Sequence, residues 1–322
     1  MRFAILTFEL ERKELKVGTK MLVKRARELG HRVTVIREHE LQIRFGGEGP
    51  SVLYKGKPLP EFDAIIVRPG IREDPSVHAA LLRQLELEGL LVINGYLGVH
   101  RAKNKIRTLQ LLDHFGLPVP KTVVIFSATE LESAIADFSF PLILKTAYGS
   151  GGTGVFIAES KRSLKPFLQY LTHAGGNPNT PVKIQEYIKE AKGKDLRVFV
   201  VGKEVVAAME RTAKQGEFRA NVHQGGSAAH ADITEEEKRL CIEATRRLGL
   251  NIAGVDMLRR KSGPVIIEVN SYPGLGGISQ ATGVDVAGAV VRYAERKVNK
   301  RRLKAQEAKG KEMEHNSNAS EA

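Results

Sequence analysis

The sequence predicts an α/β protein whose C-terminal part turns to α+β. Three observations carry this. As far as about residue 96, apolar strand runs alternate with helical patterns, which is the mark of a parallel sheet. From about residue 185 strands follow one another across short turns, as antiparallel hairpins do. Between the two lies a glycine-rich loop, G-S-G-G-T-G at 149–154, flanked by strands rather than by a strand and a helix.

In the first segment F-A-I-L (3–6) reads as a strand, and a helix follows through Met21, Leu22, Ala26 and Leu29 to a stop at Gly30. V-T-V-I (33–36) is the next strand, and F-D-A-I-I-V-R-P-G (62–70) is a buried one closed by Pro69 and Gly70. A helix over 79–89 leads into L-V-I-N-G (91–95). Residues 1–96 are therefore expected to form a small Rossmann-like domain. No G-x-G-x-x-G turn follows its first strand, which argues against a dinucleotide site there.

Residues 97–184 are expected as a second lobe. A helix runs from Lys103 to Phe115, and G-L-P-V-P-K-T breaks it before the strand V-V-I-F (123–126). A helix through Glu130 to Ala136, the strand P-L-I-L-K-T (141–146), the glycine loop and the strand V-F-I-A (155–158) follow. The Gly-, Asn- and Pro-rich stretch 172–181 reads as a connection. Residues 185–296 are expected as a third lobe. K-I-Q-E-Y-I, L-R-V-F-V-V and E-V-V-A-A-M-E-R are strands, the last two joined by the turn G-K. T-E-E-E opens a helix over 234–248 with a capping pattern. I-A-G-V-D-M-L (252–258) and V-I-I-E-V-N (265–270) are strands joined by R-R-K-S-G. Residues 297–322 are charged and polar, and are expected to fray as a disordered tail.

Composition bounds the function. A chain of 322 residues with 42% apolar residues suits two or three packed lobes. One cysteine, Cys241, cannot form an internal disulfide, no apolar run would cross a bilayer, and the N-terminus does not read as a signal peptide. A cytoplasmic protein with no membrane association is expected, as a homo-oligomer. The formal charge of +13 predicts attraction to polyanions, whether nucleotides, nucleic acid or a ribonucleoprotein surface. Part of that charge lies in R-Y-A-E-R-K-V-N-K-R-R-L-K (292–304), which reads as a solvated helix end ahead of a dedicated RNA contact.

Side chains alternate along a strand, so Glu268 and Asn270 share a face, and a hairpin would bring Asp256 beside Glu268. Two carboxylates and an amide oxygen form a hard, all-oxygen set suited to Mg²⁺ completed by substrate phosphates. The alternative is an amphipathic strand with its polar face in water. Gly151, Gly152 and their neighbours would let backbone N–H groups close over phosphates, with Lys145 on the strand feeding the loop and Lys105 on a helix. The alternative there is a hairpin turn with two surface lysines. Together with the acidic set, these features favour a nucleotide site. The extended segment Gln185–Glu190 could offer backbone groups to an adenine edge, and Asp195 could accept ribose hydroxyls, though spacing alone fits an ordinary strand. Arg219 and Asn221 share a face before a glycine pair, where an arginine could stabilise charge on a transferring phosphoryl group. His223 receives no role.

K-I-Q-E-Y-I-K-E-A-K-G-K-D-L-R, E-F-R-A-N-V-H-Q-G-G, A-G-V-D-M-L and I-I-E-V-N-S-Y-P-G-L stand in the order and spacing of the ATP-grasp ligases. They most closely resemble the RimK branch, α-L-glutamate ligases that modify a small-subunit ribosomal protein. Y-K-G-K-P-L-P-E-F-D-A and N-K-I-R-T-L-Q-L-L are similar to the same branch, so the resemblance spans about residues 1–296. It implies an ATP-grasp fold with an N-terminal Rossmann-like pre-ATP-grasp domain, and ATP held between the last two lobes. It further implies that Lys105 and Lys145 contact the phosphates, with Gly151 and Gly152 in the flap. Glu186, Tyr187 and Ile188 would hold adenine, and Asp195 the ribose. Asp256, Glu268 and Asn270 would bind two ions of Mg²⁺ or Mn²⁺ with Glu268 bridging, and Arg219 and Asn221 would line the phosphate end. Lys145 and Arg219 are the implied catalytic pair. L-G-G-I-S-Q-A-T-G lacks the acidic residues the branch carries near Gly276 and Ser279, and R-P-G-I-R-E and R-A-N-V-H-Q also depart from its pattern. All three departures border the acceptor side.

The implied reaction joins glutamate to the C-terminal carboxylate of a protein through an acyl phosphate. A biosynthetic ligase that adds an amino acid to a small coenzyme or a carrier protein is the alternative. An RNA- or ribosome-binding protein that uses ATP only structurally is a third possibility, which the charge supports and the complete lysine and metal sets oppose.

Overall fold

The computed structural model describes the chain apart from residues 9–13, 48, 50, 71–74, 147–154, 165, 167–180, 215–225 and 321–322. Its first part runs β1 (Arg2–Thr7), α1 (Val17–Glu28), β2 (Arg32–Arg37), β3 (Leu41–Ile43), β4 (Val52–Tyr54), β5 (Lys57–Pro58), β6 (Ala64–Arg68), α2 (Pro75–Leu87) and β7 (Val92–Ile93). The order β2-β1-β6-β7, parallel throughout, is the sheet that alternating strands and helices predict. The small antiparallel sheet β3-β4-β5 is an addition. Lys55 and Gly56, at φ 53° and 74°, close the hairpin of β4 and β5. A two-residue turn with both central residues at positive φ usually carries Asn or Gly, so lysine there hides the signal.

The middle of the chain holds α3 (Tyr96–Lys103), α4 (Lys105–His114), β8 (Thr122–Ile125), α5 (Leu131–Ala134), β9 (Leu142–Thr146), β10 (Val155–Ala158) and β11 (Val182–Glu186). The single helix expected from Lys103 to Phe115 is instead broken at Asn104. The Asn104 side chain accepts hydrogen bonds from the N–H groups of Ile106 and Arg107 at 3.0 and 3.1 Å. This cap restarts the helix and makes Lys105 its first residue. The strands form an antiparallel sheet, β10-β9-β11-β8. One face packs Leu142, Leu144, Val182 and Ile184 with Leu131 and Ile135. The helices at the start of the expected second lobe pack elsewhere: Leu112 of α4 and Leu117 belong to the core of the C-terminal sheet.

The last part is β12 (Lys194–Val201), β13 (Glu204–Thr212), β14 (Ser227–His230), α6 (Glu235–Leu248), β15 (Ile252–Leu258), β16 (Val265–Asn270), α7 (Leu275–Thr282) and α8 (Val286–Ser320). Its five-stranded sheet has the order β14-β13-β12-β15-β16, with antiparallel pairs throughout. One face packs on α6 through Leu196, Val198, Val255, Met257 and Val269. On the opposite face Phe199 and Met209 join Phe3, Ile5 and Ile66 of the parallel sheet, with α1, α7 and α8, in one shared core. Each such fully buried aliphatic or aromatic side chain contributes about 2 kcal/mol.

The tail expected to fray from residue 297 instead continues α8 to Ser320. Its residues 299–309 are exposed, and the run K-R-R-L-K-A-Q-E-A consists of good helix formers with no glycine or proline. Among the described residues, no helix is long and apolar enough to cross a membrane.

Asn94 fastens the N-terminal sheet to the C-terminal one. Its buried side chain accepts from the N–H groups of Asn251 and Ile252 at 2.7 and 2.8 Å and donates to the carbonyls of Ile252 and Ser271 at 2.8 and 3.2 Å. Asn94→Ala leaves these groups without their partner, so urea unfolding is expected to show a loss of about 3 kcal/mol; a loss under about 1 kcal/mol contradicts the role. α6 opens on a reciprocal cap in which Thr234 accepts from Glu237 N–H at 3.1 Å and Glu237 accepts from Thr234 N–H at 2.9 Å. Thr234→Ala is expected to cost about 1 kcal/mol in the same assay.

Candidate active site

β15 and β16 pair Asp256 with Glu268 and Gly254 with Asn270, which sets all four on one face. A register shift follows directly after Asp256, so the alternation is kept where it positions the carboxylates. Gly254 is required at its position, because a Cβ there would stand 2.8 Å from Cβ of Pro273. The loop after β16 is held from the N-terminal domain. Arg68 at the end of β6 lies 4.0 Å from the Tyr272 ring centroid and donates to the Pro273 carbonyl at 3.2 Å.

Asp256 is the centre of a buried ionic chain. Arg197, its register partner on β12, donates Nε to Oδ1 at 2.7 Å and Nη2 to Oδ2 at 2.6 Å. Arg211 on β13 donates to Oδ2 of Asp256 at 3.0 Å and, in a fork of 2.6 and 2.7 Å, to both oxygens of Asp195. Burial pushes the Asp256 carboxyl up, but Arg197 and Arg211 more than offset it and hold it below the usual range. Burial lifts Asp195 to about 6 against the hydrogen bonds of Arg211. Arg211 is held above the usual arginine range by Asp256 and Asp195 despite its burial. Two carboxylates and two guanidiniums balance each other within this chain.

The facing sheet supplies the opposite sign. Lys145 on β9 and Lys183 on β11 are direct cross-strand partners, on the face turned away from the apolar core of that sheet. Burial pushes the Lys145 ammonium down, with Lys105 adding to this while Glu268, Asp256 and Asp195 pull it up. Burial also lowers Lys103, to about 8, with Lys105 and Lys16 helping and Glu268 opposing. Glu268 thus stands in the field of Lys103, Lys145 and Lys183, and these lysines in turn stand in that of Lys105. A cleft so biased toward positive charge favours an anion.

Among the described residues, no group of three His, Cys, Asp or Glu converges. The oxygen set is two carboxylates and an amide, which fits a hard divalent cation that also takes phosphate and water oxygens. Asp256 Oδ1 receives one donor and so retains acceptor capacity. The Asn270 amide nitrogen lies 3.4 Å from the Gly254 carbonyl and 3.5 Å from Asp256 Oδ2, and this turns the amide oxygen away from them.

The segment expected to receive adenine is the hinge between the sheets. The Glu186 carboxylate accepts from Lys121 N–H at 2.8 Å and from Arg260 at 3.3 Å, and Glu186 N–H donates to the Lys121 carbonyl at 3.0 Å. Tyr187 is half-buried and Ile188 buried, with the Ile188 carbonyl accepting from Ala191 N–H at 3.2 Å. Asp195, expected to accept ribose hydroxyls, has both oxygens engaged by Arg211 and one acceptor position left on each. Gly151, Gly152, Arg219 and Asn221 lie outside the described residues. Sequence reasoning missed Arg197, Arg211, Lys103 and Lys183. Asp195 and Arg197 alternate on one strand, but their partners lie 16 and 59 residues away, beyond any local pattern. Lys183, two residues before Gln185 in K-I-Q-E, had a usable signal in its alternation with that residue.

The chain matches known proteins over nearly its whole length. A family model described as the RimK pre-ATP-grasp domain covers residues 1–99, and one described as the RimK-like ATP-grasp domain covers 102–294. A probable alpha-L-glutamate ligase of Thioalkalivibrio sulfidiphilus (strain HL-EbGR7) is 40% identical over 279 residues, 86% of this chain and 91% of that protein. One from Vibrio vulnificus (strain YJ016) is 39% identical over 307 residues, 94% and 99% of the two chains. Among solved structures, a RimK domain ATP-grasp protein from Sphaerobacter thermophilus DSM 20745 aligns with TM-score 0.70 at 22% identity, covering 91% of this chain and 99% of its own. The ATP-grasp ligase PsnB, complexed with a phosphomimetic variant of its minimal precursor, Mg and ADP, aligns with TM-score 0.71 at 19% identity, covering 92% and 98%. These two structures establish the shared ATP-grasp fold, and the family models together with the relatives near 40% identity show that the chain belongs to the RimK family of ATP-grasp proteins.

Proposed function

We propose that this protein is an ATP-dependent carbon–nitrogen ligase that joins L-glutamate to the C-terminal carboxylate of a protein, with a small-subunit ribosomal protein as acceptor. The observation that carries the proposal is the pairing of Asp256 with Glu268 on one sheet, facing the lysine face of the other. The names of the relatives, alpha-L-glutamate ligases, supply the amino acid. PsnB complexed with precursor peptide, and with Mg and ADP, shows that this fold accommodates peptide and nucleotide in a related ligase.

In this reading Lys105 and Lys145 hold the phosphates, and Gly151 and Gly152 close over them. Glu186, Tyr187 and Ile188 take the purine, Asp195 the ribose, and Arg219 and Asn221 the phosphate end. An acceptor carboxylate oxygen attacks the γ-phosphorus, the bond from that phosphorus to the bridging oxygen breaks, and ADP leaves. The amine of glutamate then attacks the acyl carbon; phosphate departs with the electrons of the C–O bond, and the amine proton is lost to solvent. Lys145, across from the acidic face, offsets charge on the transferring phosphoryl group, as does Arg219. Asp256, Glu268 and Asn270 would hold two ions of Mg²⁺ or Mn²⁺, whose charge when bound neutralises the phosphate oxygens. Closure over the cleft excludes water, which would otherwise hydrolyse the acyl phosphate.

Purified protein with ATP, Mg²⁺ and glutamate is expected to release ADP only when the acceptor protein is added, with mass spectrometry showing glutamate at its C-terminus. ADP release driven by a small coenzyme or a carrier protein, and not by the ribosomal protein, would replace the acceptor. RNA binding with no ADP formation would overturn the ligase reading altogether. Glu268→Ala is expected to lower kcat/KM about a hundredfold or more, and a loss under about tenfold removes Glu268 from the metal set.

A further inference from the structure

Lys183 is a buried lysine that the proposed chemistry does not use. It lies in the middle of β11 with only 1% of its surface exposed. Its strand neighbours Val182 and Ile184 enter the apolar core beneath the sheet, so Lys183 and Gln185 point to the other side. There it stands directly across from Lys145. Gln185, also buried, donates to the Thr122 hydroxyl at 2.9 Å and is thereby accounted for within the sheet. Among the described residues, neither Lys183 nor Lys145 enters an ion pair.

Such an arrangement is unfavourable by itself. Like charges directly opposite on paired strands repel, and an ammonium taken out of water loses several kcal/mol of solvation. Burial, with Lys145 and Lys105 adding to it, holds this ammonium well below the usual lysine range, and Glu268 opposes them. A polyanion seated between the sheets would reverse the balance, because each of its charges offsets one of these cations. The position also fits the length of a nucleotide. Lys183 precedes the hinge at residues 186–188 by three strand positions, about 10 Å, which is the order of the distance from a purine to its phosphates.

We propose that Lys183 is a further nucleotide-binding residue, which contacts the phosphates of ATP from the floor of the cleft beside Lys145. The inference rests on reading the cleft as an ATP site. It adds a cation that no part of that reading requires. The competing role is purely structural, with Glu268 as distant counter-ion, and the two roles predict opposite outcomes.

The test uses the full chain and its Lys183→Met variant, with Lys183→Leu as a second variant should the first fail to fold. Isothermal titration calorimetry with Mg²⁺ measures AMPPNP and ADP, and competition against ADP measures adenosine. Lys183→Met is expected to weaken AMPPNP and ADP about tenfold or more and to leave adenosine within about twofold. Thermal unfolding of the nucleotide-free variant is expected at or above the wild-type temperature, since a buried amine beside like neighbours has been removed. AMPPNP affinity within about twofold of wild type overturns the inference, as does an equal loss for adenosine. A wild-type chain that binds none of the three overturns the nucleotide reading itself, which separates the two failures.

Discussion

The buried ionic chain Asp195–Arg211–Asp256–Arg197 is the constraint on which the rest of the site depends. It runs across β12, β13 and β15, so it fixes their relative register where the acidic face begins. Removing one member would leave a buried charge without its counter-charge, which is far costlier than losing a surface pair. The chain also tunes Asp256. Burial alone would raise its pKa; two guanidiniums instead hold Asp256 below the usual carboxylate range and leave Oδ1 with acceptor capacity. The same residues therefore hold the sheet together and leave Asp256 Oδ1 able to accept a further partner.

The two ends of this sheet face have different tasks. At one end Phe199 and Met209 enter the core shared with the parallel sheet and with α1, α7 and α8. At the other the face turns polar. The N-terminal domain then does more than cap the molecule. Asn94 and Arg68, at the ends of adjacent strands, grip the Ser271–Pro273 loop that leaves Asn270. The position of the Asn270 backbone is thus set from outside its own lobe. The lysine sheet is tied in differently, through Lys121, Glu186 and Arg260 and through the bond from Ile266 N–H to the Pro118 carbonyl at 2.8 Å. Among the described residues, the Glu186–Arg260 ion pair and the Ile266–Pro118 bond are two links between the sheets at that hinge.

The parallel domain was legible in the sequence because its signals are local: strand and helix runs alternate, and several of them end at Gly or Pro, as at Gly30, Pro69–Gly70, Gly89 and Gly95. The acidic face was legible for a similar reason. Alternation sets Glu268 and Asn270 together, and the short R-R-K-S-G turn brings Asp256 opposite Glu268. Three features were not legible. The break at Asn104 depends on a side-chain cap within an otherwise helical pattern. The hairpin at Lys55–Gly56 uses a lysine at positive φ. The arginines on Asp256 and Asp195 come from strands that only tertiary pairing makes neighbours. The tail shows a different limit: its charge suggested fraying, while its residue types favour the helix that α8 continues. At the site, Lys105, Lys145 and the oxygen set of Asp256, Glu268 and Asn270 were readable as residue types. That Lys145 has a twin in Lys183 needed the register of β9 and β11.

In the proposed reading a nucleotide and a divalent cation meet between the lysine face of β9 and β11 and the acidic face of β15 and β16. A crystal structure of the protein grown with AMPPNP and Mn²⁺, with anomalous diffraction to locate the metal, tests it most directly. A manganese peak on Glu268 and Asp256 Oδ1 is expected, with phosphates within hydrogen-bond reach of Lys145. Manganese and nucleotide bound elsewhere, with Glu268 touching neither, would contradict it.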